Sequence, residues 1–193
     1  MGRWEPNAGG RLLQAALELY GERGYEQTTV AEIAARAGLT ERTFFRHFAD
    51  KREVLFAGAD ALRDLIVSTV ADAPAGAAPI EAAAAGLEAA GAAIQEGGEL
   101  PCKRQTIIAA SAELQERELI KLASLAVALA GALRGRGVED PAASLAAETG
   151  IAVFRIAFER WIDDPEQRDL PRLIRDSLDT LKAITAGSGA AGG

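Results

Sequence analysis

The chain has 193 residues, 49% of them apolar and only 5% aromatic, which allows a sizeable core in one large or two small domains. Its single cysteine excludes an intrachain disulfide, and one histidine in the whole chain leaves a Cys/His zinc site short of ligands. The formal charge of −7 is unlike that of a chain that binds polyanions over its whole surface. We predict no cofactor.

No run of about 18 apolar residues is free of charge or glycine, and the N-terminal MGRWEPNAGG has no apolar signal segment. We therefore expect a cytoplasmic protein without a transmembrane helix. Residues 1–9 lack periodicity and are predicted to be a disordered arm. A first helix is expected from about Gly10 to Arg23, because apolar residues cover one broad side of it, and it should end at Gly24.

The segment TTVAEIAARAGLTERTFFRHFADK, from Thr28 to Lys51, has the pattern of two short helices separated by a tight turn. Thr29 followed by Glu32 fits a capping box, in which the hydroxyl and the carboxylate satisfy backbone N–H groups at a helix start. Gly38 lacks the Cβ that a left-handed helix end disfavours, and Thr40 can cap the next helix. A helix, a short glycine-containing turn and a second helix form a helix-turn-helix.

The second of these helices, Glu41–Phe48, has two distinct sides. Phe44 and Phe48, four residues apart, share one side and are predicted to be core. The other sides carry the polar residues Arg42, Thr43, Arg46 and His47. A cation, a hydroxyl and further donors are what a helix needs to enter a DNA major groove.

The distribution of charge agrees with this interpretation. Residues 1–52 carry eight Lys/Arg and seven Asp/Glu, or +1, whereas the rest of the chain carries thirteen and twenty-one, or −8. The acidic residues therefore lie away from the helix-turn-helix. Basic residues cluster at the proposed groove, as nucleic-acid binding requires.

Downstream, Asp50 and Glu53 repeat the capping pattern, and a helix is expected to continue from Lys51 to Pro74 as a long connection between two domains. Four long helices are predicted at about residues 80–96, 113–133, 141–162 and 171–184, and one short helix is predicted within residues 99–112. Residues 187–193, rich in glycine and alanine, are predicted to be a disordered tail. The fold class is therefore all-α, with about nine helices.

Between about Arg11 and Leu55 the chain resembles the DNA-binding domain of TetR-family transcriptional regulators. The resemblance includes RLLQAALELYGERGYEQTTV, in which a first helix ends at Gly-Tyr and leads into Thr-Thr-Val. It implies a DNA-binding domain at residues 10–55, a ligand-binding and dimerisation domain at residues 56–186, and a palindromic DNA operator as partner. The DNA-binding residues that it implies are Thr28, Thr29, Thr40, Arg42, Thr43, Phe45, Arg46, His47 and Lys51.

One position departs from the family's pattern. The family usually has tyrosine where this chain has Phe45, and that hydroxyl commonly contacts a phosphate. Phe45 keeps the ring but lacks the donor, so we expect it to pack on a sugar or a thymine methyl instead. The departure also supports an alternative function, a degenerate TetR-like module that binds proteins rather than DNA. An enzyme is not expected, because the sequence has no nucleophile and base pattern.

A bulky stripe is the most distinctive feature of the C-terminal part. Phe154, Phe158 and Trp161 fall at i, i+4 and i+7 of a predicted helix, and the stripe is interpreted as intrachain core or as a subunit interface. TetR-like proteins usually dimerise through their last two long helices, so the resemblance favours a homodimer interface for part of it. A two-fold dimer on a palindrome is also what specificity from a short helix-turn-helix requires.

An effector site is expected in the second domain, which is weakly similar to regulators of the mycofactocin and acyl-CoA-responsive type. Its many small side chains are expected to leave room for an elongated apolar molecule with an anionic end. Arg155 lies in an apolar run and needs either that anion or an acidic partner, Glu148 or Glu159. The predicted contacts, each apolar one alternatively ordinary core, are Ile66, Leu87, Arg104, Ile108, Leu122, Leu125, Phe154 and Arg155. The expected function is a repressor that the effector releases from its operator.

Overall fold

The computed structural model describes residues 8–164 and 169–186, which form nine α-helices and one 3-10 turn and contain no β-strand. The helices are α1 (Ala8–Arg23), α2 (Val30–Arg36), α3 (Glu41–His47), α4 (Ala59–Asp72), α5 (Pro79–Gln95), α6 (Leu100–Ala109), α7 (Ala112–Gly135), α8 (Ala142–Ile162) and α9 (Leu170–Thr185). The all-α prediction is confirmed. None of the helices in this described part has the length and apolar character of a membrane span.

The chain divides into two compact units. The described residues of the first unit are 8–59 and 102–118, and those of the second are 60–101, 119–164 and 169–186. The sequence-based boundary at residue 55 assigned α6 and the start of α7 to the C-terminal domain. These segments instead pack with the N-terminal helices, because Ile107, Ile108 and Leu114 are buried in the same core as α1.

The core of the first unit is formed by large apolar side chains from most of its helices and from the 3-10 turn. The fully buried ones are Leu12 and Leu19 of α1, Ile33 of α2, Phe44 of α3, Leu55 of the 3-10 turn, Ile108 of α6 and Leu114 of α7. The buried side of α3 therefore packs against the rest of the first unit.

The first helix begins earlier than predicted. Ala8 and Gly9 already belong to α1, so the predicted nine-residue arm is too long by at least these two positions. Residues 1–7 and 187–193 lie outside the described residues, and the disorder predicted for them stays a prediction.

The predicted continuous helix from Lys51 to Pro74 is wrong. The chain forms a 3-10 turn at Glu53–Phe56, and α4 begins only at Ala59. The interruption lies at Gly58, whose φ of +84° is in the left-handed region that favours glycine and that an α-helix cannot accommodate. No single helix therefore runs from the helix-turn-helix into the second unit.

In the second unit α5, α8 and α9 pack against one another, and glycines allow the close approach. A Cβ at Gly91 of α5 would lie 2.8 Å from Ile174 Cδ1 of α9, and one at Gly150 of α8 would lie 3.1 Å from Leu87 Cδ1. At these positions the expectation that small residues leave room for a ligand is wrong, because neighbouring side chains already occupy the space.

Candidate nucleic-acid interface

α3 is held by a buried aromatic side and a capped first turn. The Phe44 ring is fully buried and lies 5.5 Å from the Phe48 ring, centroid to centroid. Thr40 has extended backbone, and its hydroxyl accepts a hydrogen bond from the Thr43 N–H at 3.2 Å, as predicted for an N-cap. The orientation of this short helix is therefore fixed by the unit that it belongs to.

The turn before α3 needs a glycine for two reasons. Gly38 has a φ of +66°, and a Cβ there would lie 2.9 Å from Nη2 of Arg11. That guanidinium donates to the Ala37 carbonyl at the end of α2. Arg11 is thus part of the turn, which the sequence did not indicate because the two positions are 26 residues apart.

The outward side of α3 exposes Arg42, Phe45, Arg46 and His47. No carboxylate among the described residues pairs with Arg42 or Arg46. Both line an open, concave surface together with Thr40, Thr43 and Phe45, and this concavity has a volume of about 650 Å³. The N–H donors of these guanidinium groups are therefore not bound by a carboxylate of the described residues.

Two predicted DNA contacts, Thr28 and Thr29, differ in their accessibility. Thr29 is exposed at the start of α2 and forms the predicted capping box, with its N–H 2.9 Å from a Glu32 carboxylate oxygen. Thr28 is buried, and its hydroxyl donates to the Gly24 carbonyl at 2.9 Å. The prediction that the Thr28 side chain contacts DNA is wrong for this conformation, because the hydroxyl closes the loop after α1.

Lys51 also has an internal role. Its amine donates to the carbonyls of Tyr25 and Thr28, at 3.0 and 3.2 Å, and lies 4.1 Å from the centre of the Tyr25 ring. The Tyr20 hydroxyl donates to the Lys51 carbonyl at 2.7 Å, and burial raises the pKa of Tyr20, which keeps it a neutral donor. Two of the three donors of the ammonium group are therefore bound within the chain.

A polar cluster beside Lys51 joins the helix-turn-helix to α7. Arg52 lies 2.6 Å from Asp50 and 3.4 Å from Glu113 of α7, and its hydrogen bonds hold the pKa of Asp50 below its usual range. Arg117 of α7 pairs with Glu53 at 2.5 Å. Sequence reasoning missed this cluster, since its members lie about sixty residues apart and no local pattern relates them.

The three predicted dimer contacts differ in how far they are buried within one chain. Trp161 and Phe154 are buried, and Phe158 is half-buried with its ring 5.9 Å from each of theirs. The prediction that Trp161 forms the subunit interface is wrong, because one chain already encloses it. The exposed apolar side chains of α8 are instead Leu145 and Ile156, which the sequence analysis missed. Their spacing of eleven residues, three helical turns, was the available signal.

The predicted ligand contacts are divided between the two units. Arg104 and Ile108 belong to the first unit, whereas Ile66, Leu87, Leu122, Leu125, Phe154 and Arg155 belong to the second. Arg104 lies 3.3 Å from Glu118 and 5.5 Å from the centre of the Phe56 ring, and burial lowers the pKa of Arg104.

Arg155 is on the solvent side of α8 rather than inside a pocket. Its side chain is 54% exposed and lies 3.6 Å from Glu159, one of the two expected partners. The pairing is confirmed, but the expectation of a buried cation that awaits an anionic ligand is wrong.

Comparison with known proteins agrees with the geometry of the first unit. The profile described as "Bacterial regulatory proteins, tetR family" matches residues 12–57, from α1 through the 3-10 turn. The structure of SmeT in a complex with triclosan matches 92% of this chain and 90% of that chain, with 25% identity and a TM-score of 0.64. Residues 12–57 of the chain therefore form a helix-turn-helix domain of the TetR type.

Curated TetR-family relatives match over shorter stretches. TcmR of Streptomyces glaucescens is 42% identical over 72 residues, 37% of this chain and 32% of TcmR. KstR2 of Mycobacterium tuberculosis, a transcriptional repressor, is 41% identical over 46 residues, 24% of this chain and 23% of KstR2. The matches thus span a third or less of these relatives. All three proteins are regulators of transcription.

Proposed function

We propose that the chain is a dimeric repressor that binds a palindromic operator through α3 and that a small apolar effector releases. The observation that carries DNA binding is the pair of exposed arginines, Arg42 and Arg46, that have no carboxylate partner in the described part of the chain. A guanidinium can bind guanine O6 and N7 bidentately, and the remaining donors suit phosphates. Thr29, Thr40, Thr43 and His47, together with the third donor of Lys51, supply those phosphate contacts.

The test uses the full chain and operators selected from genomic DNA. Arg42→Ala is expected to relax base preference at one position of each half-site and to cost about 1–3 kcal/mol per lost bidentate contact. Arg36→Ala is the matched control, because Arg36 lies in the same unit but is bound to Glu18 and Glu22. Fluorescence anisotropy would measure affinity, and selection would measure preference.

Two results would contradict this part of the proposal. An Arg42→Ala variant with unchanged affinity and preference would show that α3 does not read bases. A selection that enriches no sequence with the folded wild type would favour the alternative, a TetR-like module that binds proteins.

Two exposed apolar side chains of α8 support a two-fold dimer. Leu145 is 63% exposed and Ile156 is 48% exposed, and three helical turns place them on one side. Two copies of such a side bury each other's apolar surface, and a two-fold dimer presents two recognition helices to a palindrome.

Replacement of both Leu145 and Ile156 with glutamate is expected to give folded monomers, because unpaired carboxylates are costly to bury. Light scattering would measure the mass and circular dichroism the helix content. Val127→Glu is the control, since Val127 is as exposed on α7. Monomers from Val127→Glu together with dimers from the double variant would place the interface on α7 instead.

Effector response is proposed for the second unit. SmeT, the repressor of the Stenotrophomonas maltophilia multidrug efflux pump SmeDEF, has been solved with triclosan. In this chain Leu122 and Leu125 are only half-buried on α7, and the buried Nε1 of Trp161 has no hydrogen-bond acceptor among the described residues. A buried donor without an acceptor destabilises a protein, so an apolar effector with a carboxylate or carbonyl oxygen would relieve that cost.

A hundredfold loss of operator affinity requires that the effector bind the released conformation better by about 2.7 kcal/mol. Linkage makes the effect reciprocal, so saturating operator is expected to weaken the effector by the same factor. Calorimetric titration of fatty acids and acyl thioesters, with and without operator, would measure it. Equal affinity in the two titrations would contradict effector control, and a Trp161→Phe variant with unchanged effector affinity would remove the indole from the site.

A further inference from the structure

Phe45 is a large apolar side chain in an otherwise polar setting. It is 55% exposed on α3, and its neighbours there include Arg42 and Arg46, which no carboxylate of the described residues pairs with. Its ring is held in place on one side, because it meets the buried Phe44 ring edge to face, at 5.6 Å between centroids and an interplanar angle of 80°. The rest of the ring stays uncovered, although exposure of a phenyl group to water is unfavourable.

The uncovered ring lies on the surface proposed to enter DNA. It lines the same concave surface as Thr40, Thr43 and the two arginines. A phenyl ring neither donates nor accepts an ordinary hydrogen bond, so it cannot replace the donors around it. In the major groove the apolar group on the base edges is the 5-methyl of thymine, and phenylalanine is among the side chains that contact it.

We infer that Phe45 is a specificity-determining residue that recognises the 5-methyl group of a thymine in each operator half-site. This inference rests on the proposed DNA binding and adds the base feature that is recognised. The arginines on either side bind guanine edges or phosphates, and Phe45 excludes water from the methyl group. A pyrimidine without that methyl leaves the ring exposed and loses the contact.

The test removes only the methyl group. In the operator selected with the full chain, each thymine is replaced in turn by deoxyuridine, which keeps the same hydrogen-bonding atoms. One thymine per half-site is expected to show a loss of about fourfold in affinity, and replacement in both half-sites a loss of about fifteenfold, from the transfer free energy of one methyl-sized group. Anisotropy titration at fixed salt would measure both.

Variants of Phe45 test whether this side chain causes the loss of affinity that deoxyuridine produces. Phe45→Ala is expected to bind thymine and uracil operators equally, whereas Phe45→Leu keeps part of the difference and Phe45→Tyr most of it. Because Phe45 is exposed, all three variants are expected to have the same Tm as the wild type, and thermal unfolding followed by circular dichroism would check this. Should Phe45→Ala lower stability, the Leu and Tyr variants still carry the comparison.

Two outcomes would overturn the inference while leaving DNA binding intact. In one, no thymine is sensitive to deoxyuridine with the wild type. In the other, the sensitivity persists in Phe45→Ala, which would assign the methyl contact to another residue such as Thr43. Failure of the proposed function is distinct, because the selection would then yield no operator at all.

Discussion

Arg36 and Arg42 carry the same guanidinium six residues apart, but Glu18 and Glu22 bind the first, whereas no described carboxylate pairs with the second. Lys51 is a similar case, since two backbone carbonyls hold an amine that sequence alone assigns to a phosphate. At the scale of single residues, the role of a cation in this unit therefore follows from its internal partners. A donor that is bound inside the unit stabilises the fold, whereas a donor without an internal partner is available to another molecule.

Asp50 provides a prediction about pH. Its pKa is lowered in the folded state by hydrogen bonds from Arg52, so the stabilisation is present above the unfolded value of about 3.9 and is lost as pH falls through the lower folded value. Between pH 5 and a pH below the folded pKa of Asp50, the free energy of unfolding is therefore expected to fall more for the wild type than for Asp50→Asn. Urea unfolding at a series of pH values would measure the difference, and parallel curves for the two proteins would contradict it.

The end of α4 illustrates how one element completes another. The last carbonyls of an α-helix have no partner within the helix. Arg136, just after α7, donates from Nη1 to the carbonyls of Val70, Ala71 and Ala73 and from Nη2 to that of Pro74. Positive charge at a helix C-terminus also complements the helix dipole. The boundary of α4 is therefore stabilised by a residue more than sixty positions away.

Arg136→Met is expected to lower the free energy of unfolding by about 2 kcal/mol, because it removes several hydrogen bonds from a charged donor. Arg134→Met is the matched control. Arg134 makes an exposed ion pair with Asp140, so its replacement is expected to cost much less than that of Arg136. Denaturant unfolding of the two variants would compare them, and equal losses would show that the cap is not a major contribution.

At the scale of the whole molecule, the first unit is assembled from two distant chain segments. Residues 102–118 add Ile108 and Leu114 to the core behind α3, and Arg117 and Glu113 add ion pairs to residues 50–53. The family profile ends at residue 57 and so covers only the first of the two segments. The stability of the recognition helix therefore depends on chain beyond the helix-turn-helix.

A pair of leucines on α7 tests this dependence. Leu114 is fully buried in the first unit, whereas Leu119 is 61% exposed. Leu114→Ala is expected to destabilise the first unit by about 2–5 kcal/mol, and Leu119→Ala to change stability by less than about 0.5 kcal/mol. Hydrogen exchange of the α1 amides would report the effect, and unchanged protection of α1 in Leu114→Ala would exclude a contribution from this segment.

The elements that sequence predicted correctly depend on residues within one or two helical turns. The caps at Thr29 and Thr40 join atoms three residues apart, and the helical periodicity of α5 to α9 is equally local. The long helix from Lys51 failed on a local detail, because apolar periodicity continues past Gly58 while the backbone there adopts a positive φ.

The sequence by itself determined the helical class, the helix-turn-helix and the polar side of α3, since each follows from the order of neighbouring residues. The tertiary structure decided that Thr28 and Trp161 are buried, that Arg155 is exposed, and that residues 102–118 pack with α1. The physical reason is that burial and ion pairing depend on groups from distant parts of the chain. A helical pattern shows which residues share a side but not what covers that side.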